Sequence, residues 1–564
     1  MTRTRSLLPA VVRRLTPGTL PHRMLDRVER VLLRRSTPVA AFEEAGSVPV
    51  RLGGTLVVSQ PVEAPWPDEA QRANLDLVVE ICEQLGAEYF LVSHDRRGIS
   101  RVGLVEDARA RFLAELVDRG RRTPIYVRRT RPTGQPELAA GFDAQQMEAE
   151  SGLRVWRSRH DPVTGRSYGV GHACQVEFWE ELPDGRLTAP APNQRAAQVT
   201  PQERAARVEI EVLGERYPSI PPFDLPGPFE ARFPVDVVYL WVDGSDPAWR
   251  ARRNDRLAAL GREPMDGATV ASRFREQDEL RYSLRSVERF APWVRHLYLV
   301  TDDQRPDWLV EDHPRLTVVD HRDIFPAEAL PTYNSHAISA RVHHIEGLSE
   351  QFLLMNDDVL LGRPVAPDDF FHANGITKFF LSKSPIPSGP IAPDDLPHFA
   401  ARKRVRDLIQ ETYGFRPFQT FKHTPVAMSR SWLAHLEERF AEPYRRTVTA
   451  PFRSPDDLVP SWLHHYAGFA EGRALPADIN YDYFNLTSGQ AFKRLSSLVG
   501  RRSVDCLCLN DDEGGDLDFD LRTRMLAAFF EVFLPEASTF EREPSTAPDR
   551  ARHMATLQAG LRKL

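Results

Sequence analysis

The chain has 564 residues, with 73 Lys and Arg against 79 Asp and Glu, a formal net charge of -6, 41% hydrophobic residues and 27% charged ones. That length exceeds one ordinary core and implies two to four compact units. The balance excludes a disordered or membrane-embedded chain, and the net charge excludes whole-chain attraction to nucleic acid or acidic lipid.

Residues 1–60 read as a basic arm, in which Arg3, Arg5, Arg13, Arg14, Arg23, Arg27, Arg30, Arg34 and Arg35 face only Asp26 and Glu29 within the first 35 residues. Leu7, Leu8, Val11, Val12 and Leu15 fall among these arginines at roughly helical spacing. One reading is a helix resting on an anionic membrane surface; the other is a solvated arm or a helix packed on the body. No apolar run of about 18 residues occurs, and no secretory signal opens the chain. A cytoplasmic protein is expected, at the inner face of the membrane if the arm docks there. Four cysteines, Cys82, Cys174, Cys506 and Cys508, make neither a disulfide framework nor a closed zinc site.

Residues 61–216 read as an accessory α+β region. Leu75, Val78, Val79, Cys82 and Leu85 repeat at helical spacing, Tyr89 to Val92 is a short buried-strand run, and Ala108 to Val117 is amphipathic. Between residues 152 and 214, short alternating segments broken by DPVTG and PDG turns predict hairpins. The Pro-rich stretch 217–234 reads as a linker. A main domain is expected over 235–535, followed by a polar tail over 536–564.

Within that domain one pattern recurs. Val235 to Val242 is a nearly continuous apolar run ending in Asp243-Gly244-Ser245-Asp246-Pro247, a strand followed by a helix start. His296 to Thr301 runs into Asp302-Asp303, Leu316 to Val319 into Asp320, and Phe352 to Met355 into Asn356-Asp357-Asp358. The stripes Leu280, Leu284, Val287, Phe290 and Ile338, Val342, Ile345 predict helices between these strands. Alternating strands and helices imply an α/β fold with a mostly parallel, doubly wound sheet, which binds ligands beyond the carboxyl ends of its strands. Four acidic strand ends are thus expected to converge, where a divalent cation would relieve their repulsion and take diphosphate oxygens of a nucleotide-sugar. An Asp after a strand also serves as a plain helix cap or turn residue, a reading that suits Asp302 and Asp303 before Pro306.

Longer segments carry a resemblance. DVVYLWVDGSDPAW (Asp236 to Trp249), the stretch Arg273 to Leu309 with LPTYNSHAI (Leu330 to Ile338) and LLMNDDVLLG (Leu353 to Gly362), the motif Phe421-Lys-His423-Thr-Pro425, and Cys506-Leu-Cys508-Leu-Asn510-Asp511-Asp512 resemble, in order, the four conserved regions of the Stealth proteins. These include bacterial capsule and exopolysaccharide phosphotransferases and are similar to the catalytic subunits of the lysosomal-enzyme N-acetylglucosamine-1-phosphotransferase. Leu240 stands where the family commonly has Thr and Met355 where Leu is usual, both apolar-strand positions. The resemblance implies a sheet like that of nucleotide-sugar transferases. It implies transfer of a hexose-1-phosphate, of the N-acetylhexosamine kind, from a UDP-sugar to a hydroxyl of an acceptor glycan, with UMP released.

The same resemblance implies site residues. Asp358 and His423 are candidates for proton removal and acceptor positioning, with the base left open between them, and Arg453 in PFRSPDD for gripping phosphate oxygens. Donor binding is expected of Asp243, Gly244, Arg275, Glu279, Arg281 and Asn356; Arg275 and Glu279 at i and i+4 also fit a surface ion pair. Asp357, Asp358, Asn510 and Asp511 would hold Mg²⁺ or Mn²⁺. Cys506 and Cys508 read as buried small residues, and Trp241, Trp249, Tyr282 and Trp293 as core more readily than as stacking platforms. The rivals are a metal-dependent glycosyltransferase, which would release UDP, and a catalytically inactive glycan-binding relative. No nucleic-acid partner is expected.

Overall fold

The computed structural model describes residues 37–52, 55–63, 66–95, 98–130, 136–142, 151–261, 277–511, 517–542 and 549–564, without the side chains of 37–40. The first 36 residues of the basic arm, and with them the membrane-surface reading, lie outside the described residues, as do Arg275 and Asp512. Among the described residues no helix is long and apolar enough to cross a membrane. The chain divides into two units, Met1–Pro226 and Gly227–Leu564.

In the first unit, helices α1 (Pro67–Gln84) and α2 (Arg109–Arg122) cover one face of a mixed sheet. Its central strands are β1 (Tyr89–His94), β2 (Ser100–Val105), β3 (Ile125–Arg129), β4 (Gly152–Arg157) and β5 (Cys174–Glu181). β5 pairs in parallel with β2 and antiparallel with β4, which pairs antiparallel with β3. The helical stretch and the hairpin stretch of the sequence therefore share one sheet. Val208–Val212 and Glu215–Ser219 form a hairpin whose turn residues Leu213 and Gly214 both have positive φ, the backbone of a two-residue turn matched to strand twist. The Pro-rich stretch is not linker throughout, because Tyr217, Ile220 and Phe223 are buried in the first unit.

The second unit is built on a five-stranded sheet of β6 (Val235–Leu240), β7 (Leu297–Thr301), β8 (Leu316–Asp320), β9 (Gln351–Asn356) and, beyond a separate short strand β10 (Val359–Leu361), β11 (Val426–Ser429). The order is β8-β7-β6-β9-β11, with three parallel pairs and an antiparallel edge at β9/β11. Helix α3 (Pro247–Ala259) starts where the Asp246 side chain accepts from Ala248 N with Pro247 at the first position. Helix α4 (Glu279–Phe290) buries Leu280, Leu284, Val287 and Phe290, the stripe read from the sequence. The second stripe is not one helix: Ile338 lies in the five-residue α5 (Ser335–Ser339), Val342 in a separate 3₁₀ turn, and Ile345 just after it. α6 (Pro460–Ala470) packs beside β11.

A second, three-stranded sheet joins β10 to β12 (Tyr481–Asn485) and β13 (Cys506–Asn510) in the order β10-β13-β12. After α7 (Phe519–Phe533), the tail remains part of this unit: Arg285 makes two 2.8 Å bonds to Glu541, and α8 (Arg550–Leu561) lies against α7, with Gly560 admitting Met525. The architecture is α/β with mixed parallel and antiparallel sheets.

Candidate functional site

Asp357 and Asp358 occupy the turn at which the chain leaves β9 and enters β10, so one dipeptide links the two sheets. The second sheet then fixes Asp358. Leu509 N donates to its carbonyl at 2.9 Å, Val359 pairs with Cys508, and the Cys508 thiol donates to Asp358 Oδ2 at 3.3 Å. Asp358 N donates to Asp357 Oδ1 at 3.1 Å. The other Asp358 oxygen, Oδ1, is buried without a hydrogen-bond partner. Burial pushes the Asp358 carboxyl above its ordinary value, and the charge of the nearby His423 works against that rise. Burial and the adjacent Asp358 hold the Cys508 thiol well above its usual range.

His423 reaches this centre from the loop before β11. Its ring lies edge-on to Tyr483 at 5.8 Å, and its backbone lies close to the Tyr481 hydroxyl. Tyr483 is in register with Cys508 across β12 and β13, so Val359, Cys508 and Tyr483 form one row. Asn510 ends β13 in register with Asn485, its Nδ2 buried without a partner. The structure thus gathers Asp358, His423 and Asn510 from three distant segments. Sequence reasoning missed Tyr481 and Tyr483, for which no motif gives a signal, and noted Cys508 only as buried.

Asp511 stands differently. It pairs with Arg522 at 2.8 Å and accepts from Gln277 Nε2 at 3.3 Å. Gln277 N donates at 2.6 Å to Glu279, which is buried at the start of α4, and Thr523 donates to Gln277. This network holds the start of α4 near the end of β13. Arg281, expected at the donor, lies 3.5 Å from Asp278 and 3.9 Å from Glu541 and stacks over Trp308, so its contacts are those of an anchor for the tail.

The β6 end is tightly built. Asp243 Oδ1 accepts from Ser245 N at 2.8 Å through the Gly244 turn. Gln304, buried, accepts from Asp243 N and donates to Asp243 O and Asp246 Oδ2. Leu240 is in register with the exposed Asn356, so Asp243 and Asn356 leave neighbouring strands. The other two acidic ends do not join them. Asp302 is bound by Arg252 at 3.0 Å, and Arg322 spans Asp303 and Asp320. Burial works to raise the Asp320 carboxyl, but bonds from Arg322 and from the Arg322 and Asp303 amides outweigh it and bring it down to about 2. Strand order separates Asp320, because β8 lies three strands from β9, about 14 Å across the sheet; β7 is next to β6, and there it is the bond from Arg252 that engages Asp302.

Arg453 is placed beside α5, donating to Ser335 Oγ at 2.8 Å. Next to it the fully buried Asp457 accepts from Asn334 Nδ2 (2.9 Å) and Ser454 N (2.9 Å) and lies 3.2 Å from His336 Nδ1. Burial lowers the His336 pKa; the bond to Asp457 opposes that, and Arg453 reinforces it. Asp457 went unnoticed although it lies in the same PFRSPDD motif as Arg453. Trp241, Trp249 and Tyr282 are buried, and Trp293 bonds Val365 O, so none is an open stacking platform.

Asp357, Asp358 and Asp511 do not close into a three-ligand cluster among the described residues. The group of that kind is His343, His344 and Glu437, which could hold a metal ion. His343 and His344 precede β9 and Glu437 follows β11, at the opposite strand end from Asp358, and Glu437 there already bonds Arg341 at 2.6 Å. Nitrogen-rich ligands of this type suit zinc better than a magnesium diphosphate.

Four family models match this chain: Stealth protein conserved region 1 over residues 233–261, region 2 over 273–379, region 3 over 422–468 and region 4 over 497–552. An exopolysaccharide phosphotransferase of Streptomyces coelicolor is 41% identical, covering 88% of this chain and 86% of its own. CpsY, an exopolysaccharide phosphotransferase of Mycobacterium tuberculosis, is 32% identical over 84% and 89%. Among solved structures, the galactosyltransferase LgtC in complex with donor and acceptor sugar analogs aligns at 12% identity and a TM-score of 0.29, over 57% of this chain and all of its own. That likeness is too slight to bear on fold or chemistry.

Proposed function

We infer the reaction from a membership: this chain belongs to the Stealth family and is an exopolysaccharide phosphotransferase, an enzyme that transfers a sugar-phosphate group in polysaccharide biosynthesis. The finer reading is transfer of a hexose-1-phosphate, of the N-acetylhexosamine kind, from a UDP-sugar to a glycan hydroxyl with release of UMP. One observation carries the site: a buried Asp358 oxygen without a partner, at a strand end beside His423.

Asp357, Asp358 and Asn510 fit a hard divalent cation, Mg²⁺ or Mn²⁺, because they offer oxygen ligands and Asp358 leaves one buried oxygen unpartnered. Bound there, the cation would neutralise diphosphate charge. Asp511, committed to Arg522, leaves the set. With Asp358 so engaged, His423 is the proton acceptor for the glycan hydroxyl; it is exposed enough to reach an incoming chain, and the Asp358 carboxylate stabilises the imidazolium that forms. Arg453 binds the transferred phosphoryl oxygens through its guanidinium, and Asp457 positions the loop that carries it. Asp243, Gly244 and Asn356 line the donor side, where a doubly wound sheet would seat a nucleotide.

The test is to incubate the protein with Mg²⁺, a panel of UDP-sugars and candidate glycans, and to identify the nucleotide formed. Acceptor-dependent UMP is the expected product. Stoichiometric UDP would instead establish attack at the anomeric carbon.

A further inference from the structure

The sheet of the first unit has two unlike faces. The face under α1 and α2 is apolar throughout its centre, built from Val102, Leu153, Val155, Val127, Cys174 and Val176. On the other face, Trp179 and Phe90 form one apolar cluster and Tyr126 and Trp156 another, further along the strands. Between these clusters the register sets Arg101, Gln175, Arg154 and Arg128 directly opposite one another across β2, β5, β4 and β3. Three guanidinium groups therefore share one transverse row, about 14 Å long for four strands.

Like charges placed opposite each other on adjacent strands destabilise a sheet, and among the described residues little on this face offsets them. The next row is Gly103, Glu177 and Gly152, so Glu177 is its single acid. Glu177 lies 3.6 Å from Arg101 and accepts from Gln175 at 3.1 Å. Arg154 has a long 3.4 Å bond to the neutral Gln175. Among the described residues the Arg128 side chain makes no hydrogen bond or ion pair, and all three arginines are only partly exposed. Burial, and then Arg128 and Arg101, depress the Arg154 pKa, while burial raises that of Glu177 against the pull of Arg101.

We propose that this arginine row is a binding site for a glycan carrying phosphodiesters, the anionic chain that sugar-phosphate transfer produces. This rests on the phosphotransferase reading for the identity of the occupant. Guanidinium forks match phosphate oxygens, a row of three spans two or three repeats of an extended hexose phosphate, and the apolar clusters on either side confine the chain to the row.

The experiment uses the full chain and a fluorescent oligosaccharide of six hexoses joined by phosphodiesters, with an uncharged dextran oligomer of equal length as control. Binding is measured by anisotropy at two salt concentrations, and UMP release with a monosaccharide acceptor is followed in parallel. The charged oligomer should bind and the dextran should not. Arg128→Gln with Arg154→Gln should weaken binding at least tenfold and flatten its salt dependence, while Arg128→Lys with Arg154→Lys retains most of it and UMP release is unchanged in both. Equal binding by wild type and the Gln pair overturns the proposal. So does a Lys pair that folds but binds no better than the Gln pair, or equal arginine-dependent binding to phosphatidylglycerol vesicles. Arginine-dependent oligomer binding without any UMP release would remove the phosphotransfer reading and leave the site standing.

Discussion

Asp358→Asn separates catalysis from stability more cleanly than any other change at the site. The substitution keeps the shape of the side chain and an oxygen to accept from Cys508 Sγ at 3.3 Å, while it removes the charge and puts an amide NH2 in place of the unpartnered oxygen. General-base catalysis contributes about 10² to 10⁴ in rate. Losing the carboxylate that steadies His423 and the cation should therefore lower kcat by at least that lower bound, about 2.7 kcal/mol of transition-state stabilisation. Stability should move the other way. Burial raises the Asp358 pKa, so the folded chain is a worse environment for this charge than water, and a neutral replacement relieves a penalty. Asn at this position should leave the melting temperature unchanged or higher. The assays are acceptor-dependent UMP release at saturating donor and thermal unfolding by circular dichroism without added metal. Transfer within threefold of wild type would refute the catalytic assignment. A fall of several degrees in melting temperature together with the loss of activity would refute the electrostatic argument, since the charge would then be structural.

Two further changes test the surroundings. Asp457→Asn turns a donor toward Asn334, His336 and Ser454, which all face this carboxylate. It should cost about 1–3 kcal/mol in chemical denaturation and raise the KM for donor as the Arg453 loop loosens; an unchanged KM would detach Asp457 from donor binding. The second concerns His464 and His465 in α6. Ser429 N donates to His464 Nε2 at 3.0 Å, which puts the His464 proton on Nδ1, facing His465 Nδ1 at 3.2 Å. Both are neutral: burial holds the His464 pKa well below its ordinary value and brings His465 down to about 3. The unfolded chain takes up these protons near pH 6.5 and the folded chain does not, so stability is full above pH 6.5 and is lost as pH falls from there toward 3, by at most about 1.4 kcal/mol per pH unit for each histidine. His465→Phe, whose ring can still stack on Phe379, should shrink the drop in melting temperature between pH 7.5 and 5.5; an undiminished drop would mean the acid sensitivity lies elsewhere.

What the sequence reveals here is local. The run from Val235 to Leu240 announces a strand buried on both faces, and the α4 stripe names four of the nine residues that helix buries. The same run hides Asp236, a fully buried carboxylate that takes Arg295 Nε and Nη2 at 2.8 and 2.5 Å and Ser349 N at 2.7 Å. No spacing rule gives a partner 59 residues away. Expecting four acidic ends to converge overlooked strand order, because a pattern of strand followed by acid is the same for adjacent strands and for strands at opposite edges. The family resemblance supplied Asp358, His423 and Arg453, but not the side chains that hold them, since Tyr481, Gln304 and Asp457 act through contacts made only after folding.

The least legible feature is also the one that makes a site out of Asp358. Asn356 is the last residue of β9 in one sheet, and Val359 the first of β10 in another, so the two aspartates form the only backbone link between the end of one strand and the start of the next. A carboxylate in such a turn would ordinarily face water. Here β13 is the middle strand of the second sheet and brings Cys508 opposite Val359, with Leu509 N bonded to Asp358 O, across about 150 residues of sequence. Cys506 and Cys508 are both fully buried, and a larger side chain at 508 would have to displace the carboxylate that its thiol now touches. The LCLNDD segment thus does more than bring Asn510 to this turn. Its small, apolar strand is what removes water from one side of Asp358, raises its pKa and leaves one carboxylate oxygen buried without a hydrogen-bond partner.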